Sequence, residues 1–569
     1  MVIQSLKVYQ NSLVRSFIAL VLLIAFTSKL YAQADQIIYN AKIITMDHSH
    51  PEAEAFAVKN GLFLAVGTNE EMRVYSDDRT NWINANGKTI IPGIIDSHMH
   101  PDPTYAFDSI HHVVDLSPDS AETIEDLISL LKRKAEITPE GQWIRGTLYQ
   151  DTKLGRHPER FDLDLVSDRH PIMLTHSSHH VFVVNSYPLA HAGLLGVIED
   201  PPGGAFDRSE DGLPNGILRE PPALNLVLNG NSSFPVADRE EELQAYMNTF
   251  QRFIEKGITS IADAALESGK FTVFNELVSR GMPVRIYHMF GIEKIESLSR
   301  LGIQSGFGNE QLKIGSIKVF HGNSLSGQTC WLSVPYEGRP DYYGIPPDRS
   351  QDELNELILS IHRANLQAAI HANGDREIEM VLDAIEYALN HYPKTDHRHR
   401  IEHASVVTQA ILERVKELNV ILAPHSYIYE HGDKMGAYGE WRWPWMHPNR
   451  KALDLGIIVA GNSDYPVSAA DPMLRIQSLV TRTSAEGIVY GPNEILTPEE
   501  AIYTFTMGSA IAQFEEDIKG SVTKGKFADF VVLSDDPASV DPFSIKDIDV
   551  LHTFINGVEV YRNDTVIIH

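Results

Sequence analysis

The stretch GIIDSHMH, residues 93–100, ends an apolar run of strand character in two histidines. In an extended chain successive side chains alternate faces, so His98 and His100 project together while Met99 points away. Such a pair is either a two-pronged metal ligand or two polar groups at a strand end. The choice depends on whether the pattern recurs.

It recurs beyond residue 257. GITSIADA (257–264), PVRIYHMF (283–290), GSIKVFH (315–321), QAAIHAN (367–373), RHRIEHA (398–404), NVILAPHS (419–426) and GIIVAGNSD (456–464) are further short apolar runs, and with GIIDSHMH they make eight strand candidates. Helical periodicity fills the spaces between them. In residues 352–366, Leu354, Leu357, Ile358 and Ile361 fall at i, i+3, i+4 and i+7 behind an acidic start, which predicts a helix. Strands alternating with helices predict parallel β/α units, and eight units predict an α/β fold closed as a (β/α)8 TIM-like barrel over residues 92–519. The competing open doubly wound sheet lacks its Gly-rich phosphate turn after an early strand.

The ends of the chain read as all-β. Residues 35–91 carry alternating segments with turn signals at Asn60-Gly61 and Asn86-Gly87, and residues 520–569 repeat the style with FADFVVLS and Asn556-Gly557. One small β-sandwich domain built from both termini is the expectation. The separation of the first two barrel strands is too long for a loop and predicts an insertion at about 105–250.

A chain of 569 residues with 43% hydrophobic and 22% charged residues is an ordinary globular sequence. Its formal charge of -28 disfavours a nucleic-acid partner or an anionic membrane surface and favours a small-molecule substrate. A homo-oligomer is left open. Residues 1–34 combine Lys7 and Arg15, the apolar run Phe17 to Phe26 and Ala32-Gln33-Ala34, and so resemble a secretory signal peptide cleaved near Ala34. Periplasmic or secreted protein is expected, with no stable membrane association once the signal is removed. The single cysteine, Cys330, excludes an intrachain disulfide and a multi-thiolate metal site.

At the carboxyl ends of the predicted strands, where barrels of this kind carry their active sites, stand His98, His100, Lys318, His371, His403, His425 and Asp464. Imidazole and carboxylate donors suit zinc and similar divalent ions. Lys318 sits among apolar neighbours, where an unpaired ammonium is costly. Either an acid pairs with it, or the neutral amine reacts with carbon dioxide to give a carbamate, an anion able to bridge two metals.

The segments PGIIDSHMHP, IKVFHGNSLSG, AIHANGDR, RIEHA, GNSDYPV and GKFADFVVL resemble, in order, the motifs of the metal-dependent amidohydrolase superfamily, in particular its YtcJ-like branch (amidohydrolase family 3). The resemblance runs from about residue 36 to the C-terminus. It implies two divalent ions, with zinc expected: His98 and His100 on one, His371 and His403 on the other, carboxylated Lys318 between them, and Asp464 as the strand-eight aspartate. HVFVVNSYPLAHAG, from His180, resembles the family's His-plus-Asn-Ser segment. Where the family commonly shows Asp-Gly-Ser after the lysine, this chain has His321-Gly322-Asn323-Ser324.

The resulting expectation is an exported hydrolase of a carbon–nitrogen, amide-type bond other than a peptide bond. Metal-activated hydroxide attacks, and Asp464 relays the proton to the leaving nitrogen. His180, His321, His425 and Trp441 are expected on the substrate side, although the aromatic loop YGEWRWPWMH (438–447) reads equally as a plug packed on the barrel. The alternatives are a mononuclear deaminase-like enzyme in which Lys318 is structural, an ester hydrolase, and a non-catalytic metal-binding barrel. The complete ligand set counts against the last.

Overall fold

The computed structural model describes residues 33–101, 103, 112–228, 237–264 and 269–563. The apolar signal segment and its basic flank lie outside the described residues. Among those described, no helix is long and apolar enough to cross a membrane.

The fold is α/β, organised on a nearly closed parallel sheet. Its strands are β1 (Ile94–Met99), β2 (Ile258–Asp263), β3 (Arg285–Phe290), β4 (Leu312–Phe320), β5 (Ala368–Ala372), β6 (Arg400–His403) and β7 (Ile421–Pro424), and each pairs with its neighbours in sequence. Nearly every residue in them is buried, because both faces are covered.

The eighth predicted strand is corrected. Residues 456–464 make only one isolated bridge, Val459 to Leu422. The segment still spans the gap: Ala460 N–H donates to Leu422 O, Ser97 N–H to Gly461 O, and Asp464 N–H to His98 O. A regular ladder fails because its donors are diverted. Gly461 N–H goes to Thr504 O, and Ser463 N–H goes to the Asp96 carboxylate.

Helix Gln351–Arg363 forms where the periodicity predicts one, started by a capping box between Ser350 and Glu353. With Asp375–His391 and Gln409–Glu417 it buries one apolar cluster against the outer face of the later strands, including Ile317, Val319, Ile370 and Ile401. Helix Arg239–Glu255 covers the early strands with Leu243, Tyr246, Phe250 and Phe253. Alternation then directs Lys318, His371, Arg400 and Glu402 to the barrel interior, where all four are buried.

Between β1 and β2 lies a second sheet of six strands, from Val114–Asp115 to Pro214–Arg219. Helix Ile124–Ile137 packs Leu127 and Leu131 into one cluster, and helix Glu220–Leu228 packs Leu224 and Val227 into another. The insertion is thus a structured unit with its own cores.

The termini meet in two further sheets. One has four N-terminal strands; the other joins Lys42–Ile44, Glu52–Ala53 and Thr89–Pro92 to three C-terminal strands, through antiparallel pairing of Thr89–Pro92 with Phe530–Leu533. Ile38, Phe56 and Phe63 from the first sheet share a cluster with Ile90, Phe530 and Phe554 from the second. Asn60-Gly61 and Asn556-Gly557 are hairpin turns with positive φ at both residues. Asn86-Gly87 has the same backbone signs but connects strands of different sheets.

Candidate metal centre

Four imidazoles converge on one carboxylate. The two oxygens of Asp464 divide them: Oδ1 lies 3.5 Å from His98 Nε2 and 3.4 Å from His100 Nε2, while Oδ2 lies 4.0 Å from His403 Nδ1 and 3.9 Å from His425 Nδ1. Within each of the sets His98–His100–Asp464 and His403–His425–Asp464, the ligand atoms are all within 4.8 Å of one another. His98 and His100 share a face as alternation on β1 requires.

His403 does not obey alternation. It follows Ile401 at a spacing of two and would otherwise join it on the helix side. Its φ of +75° turns the chain, and its ring meets those of His371 (4.4 Å between centroids) and His425 (4.2 Å, stacked). Asp464 also has positive φ, 53°. Such backbone costs about 1–3 kcal/mol at a non-glycine residue and concentrates at functional sites.

The donors suit a divalent ion. His403 Nδ1, His425 Nδ1 and Asp464 Oδ1 are buried and have no hydrogen-bond partner, a costly state for polar atoms that a metal would relieve. Burial pushes His98 down to about 4 and His425 to about 3, and holds His371 and His403 well below the usual imidazole range. The rings are therefore neutral at pH 7, as metal ligation requires. Burial opposes ionisation of Asp464, but His100, His98 and His425 outweigh it and keep the carboxyl well below the carboxylate range.

Lys318 Nζ lies 3.2 Å from His98 Nε2 and 4.8 Å from the centre of the Phe320 ring. Among the described residues no carboxylate oxygen comes within 4.0 Å of it, and the charges of Glu402 and Asp464 act on it from farther away. Burial lowers its pKa to about 8.

Not every expected ligand falls within these two sets. His371 is adjacent, but its Nε2 lies 3.1 Å from Asn323 O, and it belongs to neither three-residue set. His425, expected on the substrate side, stands in the second set and lies tilted against Tyr427, 4.1 Å between ring centroids. His180 comes to 5.1 Å from the His371 ring. Burial opposes a charge on His180, but Glu220 beside it prevails and raises its pKa. His321 is buried and held at about 4, chiefly by burial; its ring is not among those meeting at Asp464. Trp441 is 57% exposed and packs on Arg442, away from the imidazoles. Within the aromatic loop, Tyr438 and Trp443 join the packed cluster of Cys330, Tyr336 and Tyr490, the plug arrangement.

One essential member escaped the sequence reading. Glu402, in β6, accepts hydrogen bonds from Arg400 Nε and Nη2 and from His98 Nδ1, fixing which nitrogen of His98 faces the site. The signal was present in RIEHA: a base and an acid two residues apart in a strand project to the same face, where burial favours their pairing.

A parallel barrel with imidazoles and a carboxylate at its strand ends defines a metal-dependent hydrolase. The chain belongs to the Amidohydrolase family, which it matches over residues 81–561. It is 28% identical to the putative amidohydrolase YtcJ of Bacillus subtilis over 91% of this chain and 98% of that protein. It is 26% identical to the N-substituted formamide deformylase of Arthrobacter pascens over 93% of this chain and 98% of that enzyme. An uncharacterized metal-dependent hydrolase from Pyrococcus furiosus superposes with a TM-score of 0.67 at 26% identity, over 89% of this chain and 100% of the other.

Proposed function

We propose that this chain is an exported hydrolase of carbon–nitrogen, amide-type bonds that works with two divalent ions, zinc foremost. The observation that carries the reading is the division of the Asp464 carboxylate between two pairs of imidazoles. His98 and His100 would hold one ion, His403 and His425 the other with His371 beside them, and Asp464 would touch both. The likeness to an N-substituted formamide deformylase supports the choice of bond.

A bound divalent ion supplies hydroxide at neutral pH, by lowering the pKa of water from about 15.7 to about 7, and polarises the carbonyl. The remaining work belongs to the chain. Asp464 is ionised and sits among the imidazoles, positioned to take the proton of the attacking water and deliver it to the leaving nitrogen. Glu402 holds His98, and the sheet of the insertion carries His180 to the opposite wall. A pKa of about 8 leaves part of Lys318 as neutral amine near pH 7, the form that takes up carbon dioxide, which supports a carbamate there. We read the two terminal sheets as the expected β-sandwich, on the strength of their common cluster.

The test is metal analysis of protein purified without chelators, together with hydrolysis of N-formyl and N-acetyl amines followed by release of the amine. Turnover that tracks metal content supports the reading. Fully loaded protein that cleaves esters and no N-acyl compound would replace it with an esterase. Export is tested by N-terminal sequencing of protein from its native host, which should start near Ala34 or Asp35; a retained Met1 would refute it.

A further inference from the structure

A cavity of about 290 Å³ opens between the insertion and the barrel, on the side of His371, lined in part by His180, Glu220, Pro222, Phe320, Asn323 and Arg349. Two of its walls carry site residues: His180 touches the His371 ring, and Phe320 lies 5.4 Å from it. Glu220 is the unusual member. It is a charged residue only 1% exposed, and its φ is +67°, a conformation in which a non-glycine side chain is strained. Both carboxylate oxygens are committed. Oε2 accepts from His180 Nδ1, and Oε1 accepts from the hydroxyl of Thr329, which belongs to the loop after β4. Its backbone N–H donates to His180 O at 2.7 Å. One residue therefore ties the insertion to the barrel and fixes the orientation of a histidine in the wall of the cavity.

We infer that Glu220, braced by Thr329, is a positioning residue that aims His180 Nε2 at the scissile amide of a substrate seated in this cavity. With Nδ1 engaged by Glu220, Nε2 is the nitrogen left for the substrate. The arrangement repeats on the far wall what Glu402 does for His98: a buried carboxylate holds Nδ1, and the other nitrogen serves the site. This inference rests on the hydrolase reading.

The test compares Glu220→Gln, His180→Gln and the double variant with parent, on whichever N-acyl amine parent turns over. Glu220→Gln keeps the size and backbone requirements of the residue but loses the anionic acceptor. It should lower kcat at least about tenfold with little change in KM and with metal content intact. The double variant should lose no more than His180→Gln alone, because Glu220 acts through His180. Thr329→Val should give a smaller loss in the same direction, and it serves if Glu220→Gln does not fold. Additive losses, or parental kcat in Glu220→Gln, would overturn the inference. A second readout is independent of turnover. The His180 Nδ1 proton should resonate far downfield in parent and vanish in both Glu220→Gln and His180→Gln; a resonance that persists in Glu220→Gln would refute the pairing. Absence of turnover by loaded parent counts against the hydrolase reading, while the resonance still decides the role of Glu220.

Discussion

Glu402→Gln is the most searching perturbation of the site, because one buried carboxylate answers to both stability and metal binding. Arg400, Glu402 and His98 have fully buried side chains, so solvent does not screen their interaction. Burial pushes the Glu402 carboxyl up, but Arg400, His98 and Lys318 outweigh it and bring it to about 2 from an ordinary 4.5. At about 1.4 kcal/mol per unit the difference is about 3 kcal/mol, within the roughly 3–5 kcal/mol expected when one partner of a buried pair is removed. The folded-state pKa is depressed, so this stabilisation is fully present above pH 4.5 and is lost as the pH falls towards 2. Measured at pH 7 by urea unfolding of metal-free protein, Glu402→Gln should therefore be less stable than parent by about 3 kcal/mol. Zinc affinity, measured by competition with a chromophoric chelator, should fall about 10- to 100-fold because His98 is no longer oriented. Replacing Arg400 by Met in the same chain removes the orphaned cation, so stability should partly return while zinc affinity should not. A variant within about 1 kcal/mol of parent, or one with parental zinc affinity, would refute the argument.

Three further outcomes follow from the same geometry. Lys318→Ala should lose metal and activity together, with partial rescue by short carboxylic acids; full metal content would mark Lys318 as structural. Asp464→Asn should reduce turnover about 100- to 10,000-fold while keeping more metal than Lys318→Ala, and near-parental turnover would shift the proton-carrying role to another group. Away from the site, His362 Nδ1 meets His399 Nε2 at 2.9 Å, His362 Nε2 donates to Tyr392 O, and His399 Nδ1 accepts from Ala368 N–H, a chain of bonds that only neutral imidazoles can make. Burial lowers the pKa of His362, and holds His399 well below the usual range, so stability is full above about pH 6.5 and falls as the pH drops beneath it. His362→Gln, which cannot take up a proton, should make that dependence shallower in urea unfolding between pH 7.5 and about 5.5, the other buried histidines supplying the remainder; an unchanged slope would refute the assignment.

What the sequence determined by itself is what short-range periodicity encodes. Apolar runs and helical spacing locate seven barrel strands and the Gln351–Arg363 helix, because each residue's face follows from its own neighbours. The Asn60-Gly61 and Asn556-Gly557 hairpins are legible for the same reason: a two-residue turn is a local conformational choice. Histidines at strand ends mark the site, since barrel topology carries those ends to one rim. Which groups share a centre was decided only in three dimensions. His403 reaches His425 through a left-handed backbone that no periodicity announces, and His371 turns its Nε2 to a carbonyl in the loop after β4. The eighth strand is irregular because Thr504 and Asp96, both distant in sequence, take its donors. Glu402 and Glu220 gain their roles from partners 304 and 40 residues away, respectively, and such pairings depend on how sheets and loops pack rather than on any local pattern.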